Sequence, residues 1–400
     1  MNLEYKVLVI GGGIVGLTAA LAMAQRGYTV AVIDAGSLKT AIKVPGAPAK
    51  AEMPPSSSID SRVYAINHAS ESLLQQLKVW QRLDSSRVSP YRCMYVWDAV
   101  NGAHIDFDSR HVAAPYLGTI VEESVLKQAL LQQIAEQPTI NLFSDCCIDE
   151  VHSEVQGIKI SSQQQNWEGQ LLMIADGANS PMREKLKVNL TSWSYQQQAL
   201  VATVAVEQDH QQTAYQVFTA EGPLAFLPLS DPHQCSIVWS TDTVKAKYLL
   251  ELSETQFNEA LTKAFEKKLG QVTIISTRKQ FPLKMRHVKQ YSGNRWLILG
   301  DAAHTIHPLA GLGLNVGLAD VASWLKCLDA GKGLLTSKKA LAAYQRERKY
   351  AVWQIIALME GFKHLFSNSI APIVSVRGLG LKFCNEFMPI KRLFIQHARG

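Results

Sequence analysis

Residues 7–34 constrain this chain more than any other stretch. Val7-Leu8-Val9-Ile10 reads as a buried strand, Gly11-Gly12-Gly13-Ile14-Val15-Gly16 as a glycine turn, Leu17 to Gly27 as a small-residue helix, and Tyr28 to Ile33 as a second strand that ends on Asp34. In such a unit Gly11 permits the tight turn, Gly13 lets backbone approach a pyrophosphate, and Gly16 lets the helix pack closely on the strand, with phosphate at the helix N-terminus. Asp34 stands where a carboxylate accepts ribose hydroxyls. A glycine pattern alone is weak evidence, but strand, helix, second strand and terminal acid together point to a dinucleotide site.

The same stretch has a competing reading, because Val7 to Ala24 carries no charge and approaches the length of a short membrane span. Three consecutive glycines near its middle argue against a spanning helix. A secretory signal fits poorly as well, since Glu4 accompanies Lys6 ahead of it and glycines occupy the place of its apolar core. The N-terminus is therefore expected to belong to the folded protein.

Four hundred residues, 47% hydrophobic and 18% charged, suffice for two or three domains with a sizeable core. Forty basic against thirty-four acidic residues give +6, a mild excess that implies no nucleic-acid partner. The excess gathers at the end of the chain. Residues 361–400 hold Lys363, Arg377, Lys382, Lys391, Arg392 and Arg399 against the single acid Glu386, interleaved with Phe362, Phe366, Leu379, Phe383, Phe387 and Phe394. This mixture suits an anionic membrane surface or a partner protein, and equally a solvated helix with one buried face. The six cysteines form no Cys-x-x-Cys pair, which fits a reducing compartment and packing thiols, the vicinal Cys146-Cys147 included. No metal-ligand spacing is present.

Further along, Ala35 to Ser58 is rich in Ala, Pro, Ser and Lys and reads as a surface loop. Helices are expected over Ala69 to Trp80, over Ser124 to about Glu136 with Ser124 as its cap, over Glu254 to Lys268 and over Leu341 to Phe366, with helical pieces around Ile370 to Phe383. Asn101-Gly102 marks a hairpin turn, and the β-rich stretch from Trp193 to Trp239 reads as an antiparallel sheet covered by a helix. Two more apolar strands stop abruptly on acids. Leu171 to Ala175 ends on Asp176-Gly177, and Trp296 to Leu299 ends on Gly300-Asp301, followed by a glycine-rich run from His307 to Gly317 that opens a helix. Acids at strand ends bind sugar hydroxyls, and a helix N-terminus attracts an anionic ring edge.

The three motifs in this order, Gly11/Gly13/Gly16, Asp176-Gly177 and Gly300-Asp301, resemble the FAD-dependent aromatic hydroxylases over almost the whole chain. Within that group, His307-Pro308-Leu309-Ala310-Gly311-Leu312-Gly313-Leu314-Asn315-Val316-Gly317 is similar to the signature of the ubiquinone-biosynthesis hydroxylases. Ser61-Arg62 through Asn67, Gly118 through Glu122, and Phe226 through Trp239 look most like the 2-polyprenylphenol 6-hydroxylase branch, which hydroxylates ring carbon 5 of the ubiquinone precursor. Three departures stand out: Leu312 where the family usually has Gln, Asp34 where it has Glu, and Glu123 where it has Asn.

The resemblance implies an α/β fold with a Rossmann-like FAD-binding domain of the glutathione-reductase type. That domain is expected over 1–90, 117–185 and 285–345, with an inserted antiparallel substrate domain over 91–116 and 186–284 and a C-terminal helical segment over 346–400. It implies FAD as cofactor and NADH or NADPH as reductant. Arg62 is expected at the FAD phosphate region, Gln128 on the cofactor, Asp301 on the ribityl chain, and Pro308 beside the isoalloxazine, with the Gly311 to Asn315 backbone at its pyrimidine edge.

By the same resemblance, dioxygen adds to the reduced ring as a flavin hydroperoxide that hydroxylates a polyprenylated phenol. No general base is evident. His307 and Pro308 are the catalytic candidates, yet a His before Pro more often organises backbone. Expected partners are the phenol, O2 and other ubiquinone-biosynthesis proteins, in a cytoplasmic protein peripheral at the inner face of the membrane; a homo-oligomer is left open. Alternatives are a hydroxylase for another ring position or another aromatic, a non-catalytic FAD-binding scaffold, and an NAD-dependent dehydrogenase, against which the middle and late acid motifs argue.

Overall fold

Val7–Ile10, four apolar residues buried on both faces, sits at the centre of a parallel sheet, where helices must cover both sides. The computed structural model describes residues 2–38, 59–154, 156–163, 165–306, 313–368 and 370–400. Residues 39–58 of the loop expected over Ala35 to Ser58, together with His307, Pro308, Gly311 and Leu312, lie outside the described residues. In the six-stranded sheet the order is Ser292–Gly293, Trp296–Ile298, Leu171–Ile174, Val7–Ile10, Val30–Ile33 and Ile140–Phe143. All neighbours are parallel except the first pair. The four strands that the sequence marks by terminal acids or glycines thus lie side by side, with their C-terminal ends at one edge.

Helix α1 (Ile14–Ala24) is buried nearly all round, which explains its lack of charge: it is a core helix beneath other helices. Among the described residues no helix is long and apolar enough to cross a membrane. Gly11 has φ +108, and a Cβ there would come within 2.2 Å of the Ala175 carbonyl oxygen. At Gly16 a Cβ would lie 2.0 Å from the Gly11 carbonyl oxygen, so only glycine allows the helix this close to its turn.

Helix α2 (His68–Gln76) is capped by Asn67 and ends before Trp80, which lies in a separate 3-10 turn after Lys78 at φ 59. The antiparallel strands Val63–Ile66, Gly118–Glu122 and Val88–Tyr91 form a small sheet beside it. Helix α3 (Glu123–Ala135) starts one residue earlier than expected, and Ser124 is not its cap. The Ser124 N–H donates instead to Asp60 Oδ2 at 2.6 Å, a carboxylate from a distant segment. After the short α4 (Pro181–Lys185), the seventeen-residue strand Leu190–Val206 forms the spine of a nine-stranded sheet.

One face of that sheet is packed by α5 (Thr243–Glu251) and α6 (Glu254–Ala264), around Phe226, Trp239, Phe257 and Phe265. Helix α5 was not expected, and α6 stops four residues short of Lys268. The hairpin Cys93–Asp98/His104–Asp108, turning at Gly102 with φ 69, joins the far edge of the same sheet by parallel pairing with Thr213–Thr219. Four helices follow: α7 (Gly313–Ala330), the long α8 (Lys338–Phe366), α9 (Ala371–Glu386) and α10 (Met388–Arg399).

Candidate active site

Two helix N-termini open on one cavity of about 390 Å³. Gly13 to Val15 of α1 contribute one part of its wall, and Gly300, Asp301, Gly313 and Leu314 another. The unpaired N–H groups and dipole of each terminus make its surroundings favourable for anionic groups. Val15 locks the two parts together: a Cβ on Gly300 would come 3.2 Å from it, and one on Gly317 2.8 Å. Gly300 itself has φ +58, the conformation that turns the strand into Asp301.

The cradle fits a dinucleotide. A Cβ on Gly13 would meet nothing within 4 Å, so the bare backbone at the start of α1 faces open space of the kind a pyrophosphate needs. Asp34 closes the second strand, accepting from the N–H of Gly12 through Oδ2 and from the N–H of Gly36 at 2.7 Å through Oδ1. Each carboxylate oxygen keeps a lone pair for a ribose hydroxyl.

The late turn is fixed from behind. Asp320 of α7, 0% exposed, accepts from the Gly300 N–H at 2.8 Å, pairs with His304 Nε2 at 2.7 Å and receives Arg348 Nε of α8 at 2.6 Å. Burial works against the Asp320 charge, but His304 and Arg348 outweigh it and hold the carboxyl below its usual range. Asn315 extends the same support: its Nδ2 donates to Ala65 O at 2.7 Å, and its Oδ1 accepts from Asn67 N at 3.1 Å. The side chain therefore ties α7 to the Val63–Ile66 strand, while the backbone at Gly313 and Leu314 faces the cavity.

Arg62 reaches the cavity wall, 3.8 Å from Glu123 and 5.2 Å from the centre of the Tyr64 ring. Burial lowers its pKa, but Tyr64, Glu123 and Asp301 more than offset this, so the guanidinium stays charged. Tyr64 donates to Glu123 Oε1 at 3.2 Å, and its phenol is pushed well above its ordinary range, first by burial. Glu123 thus holds the arginine that a phosphate would also attract.

Gln128 stands apart from the other residues expected at the cofactor. It is exposed on α3 and lines a second, separate cavity with Arg87, Glu122 and Leu229, away from the glycine turns. The reason is helical phase: at about 100° per residue, the face that carries Glu123 returns near residue 127, with Gln128 roughly 140° away from it.

Asp176 is half-buried behind Ala175 and Gly177, which do line the main cavity. Its Oδ2 accepts the Met182 N–H at 3.1 Å, Oδ1 has no protein partner, and burial raises its pKa.

The rest of the cavity belongs to the nine-stranded sheet. Ala199, Val201, Ala225, Leu227 and Val238 present an apolar floor, broken by Gln216, Ser236 and Ser240. Phe281 to Lys284 form its rim, and Lys284 is the one titratable residue that the sheet brings to the cavity among the described residues. No group of His, Cys, Asp and Glu suited to a metal ion occurs among the described residues.

This arrangement is matched by known proteins. The family described as FAD binding domain matches residues 52–358, and that described as FAD dependent oxidoreductase matches residues 6–95. The 3-demethoxyubiquinol 3-hydroxylase of Escherichia coli K12 is 33% identical, over 100% of this chain and 99% of its own. The chain belongs to the FAD-binding monooxygenases. The ubiquinone biosynthesis monooxygenase COQ6 of Drosophila melanogaster is 31% identical, over 99% of this chain and 90% of its own. Among solved structures, p-nitrophenol 4-monooxygenase PnpA of Pseudomonas putida shares the fold with a TM-score of 0.77 at 16% identity, covering 100% of this chain and 99% of that one.

The protein is accordingly a flavoprotein hydroxylase with FAD as cofactor, of a family in which NADH or NADPH is the typical reductant. Residues that the sequence reading missed in this flavoprotein are Tyr64, Gln216, Ser236, Ser240 and Lys284. Only Tyr64 had a local signal, its place two residues after Arg62 in a short strand.

Proposed function

We propose that this flavoprotein hydroxylates the aromatic ring of a polyprenylated phenol in ubiquinone biosynthesis, at ring carbon 5. The observation that carries the reading is full-length similarity to hydroxylases named for ubiquinone or its precursors, the Escherichia coli and Drosophila proteins and the ubiquinone hydroxylase UbiL of Rhodospirillum rubrum. The apolar floor supports it, because a substrate with a prenyl tail needs a water-poor pocket that holds its ring.

The bound FAD, reduced by NADH or NADPH, supplies dioxygen activation and oxygen transfer. In this reading the backbone N–H groups at Gly13 hold the pyrophosphate, with Arg62 nearby, Asp34 takes the adenosine ribose and Asp301 the ribityl chain. Gly313 to Asn315, at the start of α7, would meet the pyrimidine edge of the flavin. The sheet residues Ala199, Val201, Ala225 and Val238 keep water from the reacting centre, and Ser236, Ser240 and Gln216 offer hydrogen bonds to phenolic oxygens. Lys284 at the rim favours a phenolate over a phenol.

A second ring position is favoured by one observation, the name of the Escherichia coli relative, a 3-demethoxyubiquinol 3-hydroxylase. Complementation of strains that each lack one quinone-ring hydroxylase, with identification of the accumulated precursor, decides between them. Rescue of only the carbon 5 defect supports the first reading, rescue of another defect moves the assignment, and no rescue with an intact flavin spectrum overturns both. A prenyl tail on the substrate would also favour work as a peripheral protein at the inner face of a membrane.

A further inference from the structure

Helix α9 carries its most exposed apolar side chains outward. Inward, beside Leu381, polar groups hold it: Arg377, 3% exposed, donates to Asp98 Oδ2 at 2.6 Å and to the carbonyls of Leu365, Phe366 and Asn368 at the end of α8. Asn385 Oδ1 accepts the Asp106 N–H, and Asn101 Nδ2 donates to Val374 O, both at 3.0 Å, so the helix is fastened to the 93–108 hairpin by polar groups. Its outward side carries Val376, Leu379 and Phe383, exposed by 68%, 67% and 58%, at helical spacing, and Phe387 stacks on Phe383 at 5.6 Å just beyond. Leu393 and Phe394 of α10 are also exposed, although Lys391 beside them is buried against Asp106.

A water-soluble surface helix turns polar side chains outward, and a contiguous exposed apolar patch marks a contact with something apolar. The charges around the patch indicate what. Lys382 and Arg392 are exposed, Lys363 and Arg399 lie in the same terminal segment, and Glu386 is the only acid after residue 360. Apolar side chains flanked by cations suit the boundary between anionic headgroups and acyl chains.

The position of the patch matters as much as its composition. Gln216 lines the active-site cavity, and two residues on, on the same side of the same strand, Phe218 stacks at 3.9 Å on Phe366 of α8 and clusters with Leu381 of α9. The terminal helices therefore lie on the cavity-bearing side of the substrate sheet. We propose that the outward stripe Val376, Leu379, Phe383 and Phe387, with Lys382 and Arg392, docks the enzyme on an anionic lipid bilayer, holding the cavity side of the substrate sheet at the membrane. The docking deepens the prenylated-substrate reading and rests on it only for its purpose.

The test is co-sedimentation of the FAD-loaded full-length protein with phosphatidylcholine vesicles, with and without phosphatidylglycerol, at low and high salt. The wild-type protein is expected to sediment with the phosphatidylglycerol vesicles and to be weakened by salt. Leu379→Glu with Phe383→Glu lowers that binding by more than about tenfold, and Lys382→Glu with Arg392→Glu abolishes the preference for anionic over zwitterionic lipid. Both double variants keep FAD and NAD(P)H oxidation, which shows that they fold. Failure of the wild type to bind either vesicle, or binding unchanged in both variants, overturns the proposal. So does a homodimer, seen by light scattering, that Leu379→Glu with Phe383→Glu dissolves, because a second copy then covers the stripe. Failure of the wild type to bind vesicles with complementation intact removes only the docking surface, and failed complementation with wild-type vesicle binding intact removes only the substrate reading.

Discussion

Arg348 Nε donates to Asp320 Oδ1 at 2.6 Å, and the other oxygen of that carboxylate accepts the Gly300 N–H, so a residue of α8 sets the turn that carries Asp301. Arg348→Met leaves the buried Asp320 carboxylate with only His304 and the Gly300 N–H as partners and should cost about 3 kcal/mol. The expected result is a lower unfolding midpoint together with weaker FAD retention, measured by thermal melting and flavin fluorescence. The pH dependence has a sign. The Asp320 pKa is depressed in the folded protein, so its stabilisation is full above the ordinary carboxyl value of about 4 and is lost as pH falls through the folded value. Removing Arg348 raises that folded value, and acid unfolding should begin at a higher pH.

Gly13 and Gly16 separate binding from folding. Gly13→Ala adds a methyl group that meets no protein atom, so apo-protein stability should change by less than about 1 kcal/mol while FAD affinity falls at least about tenfold. Gly16→Ala drives a methyl group into the Gly11 carbonyl oxygen and should destabilise the apo-protein itself. Urea unfolding and FAD titration on both variants make the comparison.

Asn315→Ala removes both bonds that strap α7 to the Val63–Ile66 strand and leaves Ala65 O and Asn67 N without a partner. The cost should be about 1–3 kcal/mol, with a broadened flavin absorption spectrum as the ring loses a fixed neighbour. Asn315→Asp retains the acceptor for Asn67 N but sets a carboxylate against Ala65 O, and should be no better.

His287 is buried with its ring edge against Trp353, and desolvation lowers its pKa. The unfolded chain takes up its proton near pH 6.5 while the folded chain resists. Stability should therefore drop as pH falls below about 6.5, and the drop should be smaller in His287→Phe. Unfolding midpoints measured between neutral and mildly acidic pH read this difference.

Asp34→Ala withdraws the acceptor of the Gly12 and Gly36 N–H groups and the ribose contact proposed for it. FAD affinity should fall by about 10- to 100-fold, with the hydroxylated ring position unchanged in product analysis.

The parts of this molecule that sequence made legible are those with local causes. Strand, glycine turn and terminal acid at Val7 to Asp34 are set by neighbours in the chain, and the hairpin at Gly102 follows from its turn residues. The support of the late turn was hidden because Asp320, His304 and Arg348 meet only in three dimensions, and an Asp or Arg within a helix reads as surface. Ser124 looked like a cap since Asp60, which takes its N–H, is remote in sequence. Helix α5 did carry a local sign, Asp242, whose carboxylate accepts from Val244 and Lys245, in a stretch otherwise read as sheet. Gln128 faces a different cavity from Glu123 because of helical phase, which its local sequence does not display.

The notch that receives Val15 is made of Gly300 and Gly317, and this orders events during synthesis. A nascent chain that has completed Asp34 holds the first glycine turn but has nothing to close it against. The neighbouring Trp296–Ile298 strand and the start of α7 leave the ribosome much later, so the early strands and α1 must wait with apolar faces uncovered. The core around α1 is consequently closed only once the chain has been made at least as far as Gly317.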